Sequence, residues 1–203
     1  MTSFRKETPK RRETETKVNH YREHRDSLKE DFNNRCGYCD ALDTFKRAYY
    51  EIDHFIPKKI LEKFFTIPAE YKDKEQEYSN LIYACQSCNN AKRNKWPTGS
   101  IEHSFIGDIG FIDPCKSEYD DQFRRNEKGE IIPISKLGEW MHKELKLWKP
   151  EHSILWYLDM INQNIEKIEN LMIDNEIKED NLIQMHYSAL LNFRKYYKLL
   201  TEY

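Results

Sequence analysis

The chain has 203 residues, a formal net charge of −2, and is 38% hydrophobic and 33% charged. This suits one domain with an appendage; no apolar run is long enough to cross a membrane, and no secretory leader is evident, so a cytoplasmic protein with no membrane partner is expected. Net charge argues against a strongly basic nucleic-acid binder, yet residues 1–100 carry 20 Lys and Arg against 16 Asp and Glu, while residues 101–203 carry 13 against 19. A nucleic-acid face is therefore expected on the N-terminal half, and a different job for the rest.

Residues 1–16 are polar, with Arg5-Lys6 and Lys10-Arg11-Arg12, and read as a flexible basic arm, either a solvated tail or a contact to a nucleic-acid backbone. Lys17 to Asn33 reads as a helix, with Val18, Tyr21, Leu28 and Phe32 on one face. His20 and His24 stand i, i+4 but lack a third ligand, so they read as surface histidines.

Cys36-Gly-Tyr-Cys39 and Cys85-Gln-Ser-Cys88 follow. One Cys-x-x-Cys turn is ambiguous between redox chemistry and chance. Two of them present four thiolates, and a tetrahedral S4 site for structural Zn(II) is the stronger reading over two buried or redox-active pairs. The gap between the pairs exceeds the roughly 15–20 residues of an ordinary finger, so something folded must sit inside it. The fifth cysteine, Cys115, reads as a buried free thiol. Four cysteines in a metal-like pattern favour a reducing compartment.

Within the gap, Ala48 to Pro57 reads as a strand, with Tyr50, Ile52 and His54 on one face and Glu51, Asp53 and Phe55 on the other. An adjacent Asp and His can divide two tasks: the carboxylate is a hard ligand for Mg(II) or Mn(II), and the imidazole can take a proton from water. Ile60 to Tyr78 reads as a short helix followed by a loop or second helix with a solvated charged face. Ser79 to Ala84 leads into the second cysteine pair, and Asn89 to Lys95 begins a helix ended by Trp96-Pro97. Lys92, Arg93 and Lys95 on it have no acidic neighbours in sequence, which suits phosphate contact.

Ile101 to Ile134 reads as short strands with turns at Pro114 and near Gly129, and Asp113 as a turn residue. Leu137 to Leu147 reads as a helix. From Ser153, Ile154, Leu158, Ile161, Ile165, Ile168 and Met172 form a narrow apolar seam, answered after a polar turn at Asp174–Asn181 by Leu182, Met185, Ala189, Phe193, Tyr196 and Leu200. A helical hairpin is expected, packed on the body or offering a partner surface.

Taken together, Glu51-Ile52-Asp53-His54, Asn80 and Cys85-x-x-Cys88-Asn89-x-x-Lys92, with both cysteine pairs in order, resemble the HNH endonuclease family and its ββα-metal core over roughly residues 31–97. The resemblance implies that Asp53 binds the catalytic divalent metal, that His54 is the general base, and that Asn80 holds the His54 loop. It also implies that Asn89 is the second metal ligand and that Lys92 touches phosphate. Many members carry His where this chain has Asn89; the Asn form is familiar in the HNH domains of CRISPR effector nucleases, and an amide oxygen is an acceptable hard ligand. The Asp-Pro and Gly-x-Ile stretches after the second pair are similar to those of bacterial HNH proteins encoded beside phage-defence ATPases and retrons.

The expected protein is thus α+β: a flexible arm over 1–16, a zinc-stapled ββα-metal domain with an N-terminal helix over 17–135, and a helical appendage over 136–203. The expected activity is phosphodiester hydrolysis with Mg(II) or Mn(II), in DNA, as the effector of an anti-phage system. The alternatives are a zinc-held nucleic-acid-binding module without catalysis, or a partner-gated subunit joined through the C-terminal helices to an ATPase.

Overall fold

The computed structural model describes residues 1–13, 18–45, 50–174 and 180–201. The end of the expected arm at 14–16, the first strand residues Ala48 and Tyr49, and the hairpin turn at 175–179 lie outside the described residues.

The chain opens with a two-residue strand, β1 (Thr2–Ser3), and reaches α1 (Arg25–Asp31) through a 3-10 turn at Tyr21–His24. Leu28 and Phe32, the apolar positions read from the sequence, are buried there, and so is His24, which lies edge-on to Tyr78 rather than at the surface. His20 caps the 3-10 turn by accepting from the Arg22 amide. After the first cysteine pair come β2 (Tyr50–His54), the inserted helices α2 (Lys58–Phe64) and α3 (Pro68–Gln76), then β3 (Leu81–Cys85) and α4 (Gln86–Lys92). Strands β2 and β3 pair antiparallel with Tyr50 opposite Cys85 and His54 opposite Leu81. This β–β–α unit is the frame of the site. Its helix begins three residues before the expected Asn89 start, because Cys85 is its N-cap, and ends at Lys92, because Arg93 takes a φ of 48°.

Beyond it lie a two-stranded ribbon, β4 (Phe105–Ile106) with β5 (Ile109–Gly110), the single-turn α5 (Ser117–Asp120), and the antiparallel pair β6 (Phe123–Arg125) and β7 (Ile131–Pro133). Three helices close the chain: α6 (Lys136–Glu144), α7 (Pro150–Asp174) and α8 (Asp180–Leu200).

The flexible arm is not what the described residues 1–13 form. Strand β1 joins the β6–β7 sheet as its third strand, Thr2 opposite Arg125. Phe4 is buried against Tyr119 and Phe123. The arm's arginines are spent on the body: Arg5 donates to the carbonyls of Gly37 and Pro114 and pairs with Asp120; Arg11 forks onto Asp113; Arg12 pairs with Glu30 and Asp31. Polarity in sequence looked like disorder because the partners are distant in the chain. Buried Arg125 ties three segments together, donating to the carbonyls of Phe4 (3.0 Å), Gly129 (2.7 Å) and Cys39 (2.9 Å).

One core runs from Phe4 through Phe32 and Tyr83 to Met141, Leu147, Leu155 and Leu158. Helix α6 and the first turns of α7 therefore share the core of the preceding residues, and the expected boundary at 135/136 runs through it. The hairpin is present: α7 and α8 pack along each other, with Ile165 and Ile168 of the predicted seam buried. Helix α8 touches the body where Phe193 meets Phe45, ring centroids 5.8 Å apart. Among the described residues no helix is long and apolar enough to cross a membrane.

Candidate functional site

The two Cys-x-x-Cys turns meet. The sulfur atoms of Cys36, Cys39, Cys85 and Cys88 all lie within 4.8 Å of one another, and all four residues are buried. Zn–S bonds of about 2.3 Å give an S4 tetrahedron with edges of about 3.8 Å; the Cys39 and Cys85 sulfurs are 3.8 Å apart. Burial first, then hydrogen bonds with Cys36 and Cys85, push the Cys39 thiol well up; contacts with the other three thiols do so for Cys88. Four buried thiols give up protons only to a cation that repays the lost hydration, so the donor set fits zinc. The knuckle is tight: a Cβ on Gly37 would stand 2.7 Å from the Phe32 ring, so glycine is required there. Cys115, half-buried, stands outside the cluster, and burial pushes its thiol up to about 12.

Strand β2 starts beside this staple, with Tyr50 opposite Cys85, and at its other end, opposite Ile82 and Leu81, carries Asp53 and His54. Both side chains are buried, at 6% exposure. Two groups hold the Asp53 carboxylate by Oδ2: the Tyr38 hydroxyl donates at 2.6 Å, and the Lys92 ammonium lies at 3.0 Å. Tyr38 sits inside the first cysteine turn, and burial with Asp53 beside it pushes its phenol well up, which keeps it a donor. Lys92 also donates to the His54 carbonyl at 2.9 Å and has no exposed side-chain surface. The expected phosphate contact at Lys92 is corrected by this burial: the ammonium faces inward from α4 and serves as the counterion of Asp53.

His54 is fixed from several sides. Its Nε2 is 2.9 Å from the Glu75 carbonyl, supplied by α3, and Tyr21 stands edge-on to its ring. A carbonyl only accepts, so Nε2 carries the proton and Nδ1 is left as the acceptor nitrogen. Burial is the largest influence on the ring and lowers its pKa; the Glu75 contact acts the other way and Lys58 adds to the lowering. Asn80 clamps Ile56, two residues after His54, accepting from its amide at 2.8 Å and donating to its carbonyl at 3.1 Å, while the Asn80 backbone carbonyl accepts from the Phe55 amide.

Asn89 meets Glu51, which sits two residues before Asp53 on the same face of β2. Its Nδ2 donates to Glu51 at 2.6 Å. A carboxylate accepts only, so this contact decides which way the amide points and turns Oδ1 away from Glu51. Arg93 is exposed just past the helix, and Lys95 is spent on Glu144, 2.7 Å from its carboxylate and 3.0 Å from its carbonyl. The structure thus brings Asp53, His54, Asn80 and Lys92 together and places Asn89 against Glu51. Sequence reading placed Glu51 in the motif without a role and missed Tyr38 and the Glu75 carbonyl. Strand alternation carried a signal for Glu51, since it shares a face with Asp53; a backbone carbonyl leaves none.

The family model that matches this chain is described as HNH endonuclease and covers residues 36–95, the segment holding both cysteine pairs, β2, β3 and α4. The chain is similar to Septu protein PtuB of Bacillus mycoides (strain KBAB4), 28% identical over 135 residues, covering 60% of this chain and 44% of the relative. It is also similar to Septu protein PtuA of the same strain, 27% identical over 124 residues, covering 55% of this chain and 17% of that relative. The matches thus span less than half the length of either relative. No solved structure matches the chain.

Proposed function

We propose that the chain is a metal-dependent HNH endonuclease that hydrolyses phosphodiester bonds, with DNA as substrate. The observation that carries this reading is the orientation of His54: with Nε2 donating to the Glu75 carbonyl, Nδ1 is the atom that can take a proton from water. In the proposed reaction, the water oxygen forms a bond to phosphorus, its proton passes to Nδ1, and the bond to the departing 3′ oxygen breaks. Asp53, through Oδ1, and Asn89, through its amide oxygen, would hold Mg(II) or Mn(II). Such an ion supplies charge relief at phosphorus and at the leaving oxygen. Tyr38 and Lys92 hold Asp53 from behind, and Asn80 keeps the His54 loop in register.

Glu51 orients Asn89, and this gives a graded expectation. Asn89→Ala should abolish most metal-dependent cleavage. Glu51→Gln should weaken the apparent metal affinity by roughly 10–100-fold, the usual cost of losing a group that orients a ligand. A Mn(II) titration of activity measures both. Unchanged activity in Asn89→Ala would remove Asn89 as a ligand.

The proposed setting is the effector of an anti-phage defence system, supported by the likeness to two Septu proteins. The outer face of α8 favours a partner-gated form of the same activity. Ile183, Tyr187, Leu190 and Leu191 all stand exposed there at helical spacing, a stripe that the hairpin's own packing does not cover.

A further inference from the structure

Helix α6 ends in a cap that pushes one aromatic side chain into solvent. Lys146 takes a φ of 54°, the Leu147 amide donates back to the His142 carbonyl at 2.9 Å, and the Lys146 amide donates to the Lys143 carbonyl at 3.2 Å. This is the pattern of a Schellman cap, in which the residue after the left-handed one turns inward. Leu147 does so, and with Leu145 it is buried at 1% exposure. Trp148 follows and is 61% exposed, while α7 starts at Pro150. Of the four tryptophans, Trp96 is buried and Trp140 and Trp156 are half-buried. A bulky ring exposed just after buried Leu147 and two residues before Pro150 offers an open aromatic face on which something can stack.

The surroundings give the chemistry of what it meets. Residues 143–151 hold Lys143, Lys146 and Lys149 against Glu144 and Glu151, inside a half of the chain that is otherwise acidic, and the Glu151 carboxylate lies 3.9 Å from Lys149. The Glu144 carboxylate is already spent on Lys95 at 2.7 Å. The segment also rests on the helix of the proposed catalytic unit: Lys149 Nζ is 3.1 Å from the hydroxyl of Ser87 in α4, and Lys95 just beyond α4 reaches the Glu144 carbonyl. Arg93, exposed, lies between α4 and Lys95. An aromatic platform among lysines on the flank of a phosphodiesterase unit has the composition that holds a nucleic-acid strand: an unpaired base on the ring and phosphates on the cations.

We propose that Trp148 stacks on an unpaired base of the nucleic acid beside the cleavage site, with the exposed Lys146 and Arg93 on its phosphates. This deepens the nuclease reading and rests on it. It selects a substrate with a single-stranded or unstacked nucleotide over a continuous duplex.

The test is binding of a short labelled single-stranded DNA and of the matching blunt duplex, in the His54→Ala background without added Mg(II) or Mn(II). Trp148→Ala should weaken single-strand binding roughly tenfold or more and remove the quenching of tryptophan fluorescence, with little effect on the duplex. Trp148→Phe should restore most of it. Single-strand binding unchanged by Trp148→Ala, while the wild-type protein still cleaves plasmid, would overturn this inference alone. Loss of affinity on Lys146→Glu with none on Trp148→Ala would mean a charge contact without stacking, and would overturn it too. A parent protein that neither binds nor cleaves would sink the inference and the nuclease reading together.

Discussion

Replacing Cys85 by serine is expected to unfold the core and to release about one zinc ion per chain. Cys85 ends β3 opposite Tyr50 and supplies one of four buried sulfurs; its side chain makes no cap bond to α4, so serine spares strand pairing and helix start and the loss falls on the metal. Apparent zinc-binding free energies of about 10–16 kcal/mol for such sites match or exceed the roughly 5–15 kcal/mol that holds an ordinary domain together, so nothing in the fold can absorb the loss. Cys115→Ser is the control, since Cys115 stands outside the cluster. Thermal melts read by circular dichroism, with zinc content measured on the same samples, check both. A folded Cys85→Ser protein with an unchanged melting temperature would contradict the staple.

Lys92→Met is expected to cost about 3–5 kcal/mol of stability, the range for removing one partner of a buried ion pair. The ammonium has no solvent-exposed surface, and it is the cation beside the Asp53 carboxylate. Methionine keeps the volume, leaves the His54 carbonyl without this donor, and leaves the buried carboxylate with the Tyr38 hydroxyl but no cation. A surface lysine that contacts phosphate would behave otherwise: its loss would stay within about 0.5 kcal/mol and appear in DNA affinity instead. Urea melts distinguish the two, and a stability change near zero would return Lys92 to the phosphate role.

Some of this architecture was legible in the sequence for identifiable reasons. The two cysteine turns announce themselves because a metal constrains both residue type and spacing. The β2 strand showed because alternation set Glu51 and Asp53 on one face, and the C-terminal hairpin because its seam repeats at helical spacing. What escaped depends on contacts between distant segments. Nothing near Arg5 or Arg11 in sequence tells that Asp120, Pro114 and Asp113 await them, so ordered residues looked like a flexible arm. Lys92 sits in a run of basic residues that reads as one surface, yet helix rotation turns it inward while Arg93 stays out. The Glu75 carbonyl that orients His54 belongs to a charged insertion whose composition suggests only solvation.

Cleavage of supercoiled plasmid in Mg(II) or Mn(II), wild type beside His54→Ala, tests whether the chain is a nuclease with His54 as its base. The wild-type protein is expected to give metal-dependent nicked or linear product, and a His54→Ala protein that melts like its parent to lose roughly 10²–10⁴-fold in rate. Equal cutting by both proteins would contradict the assignment of His54 as the base.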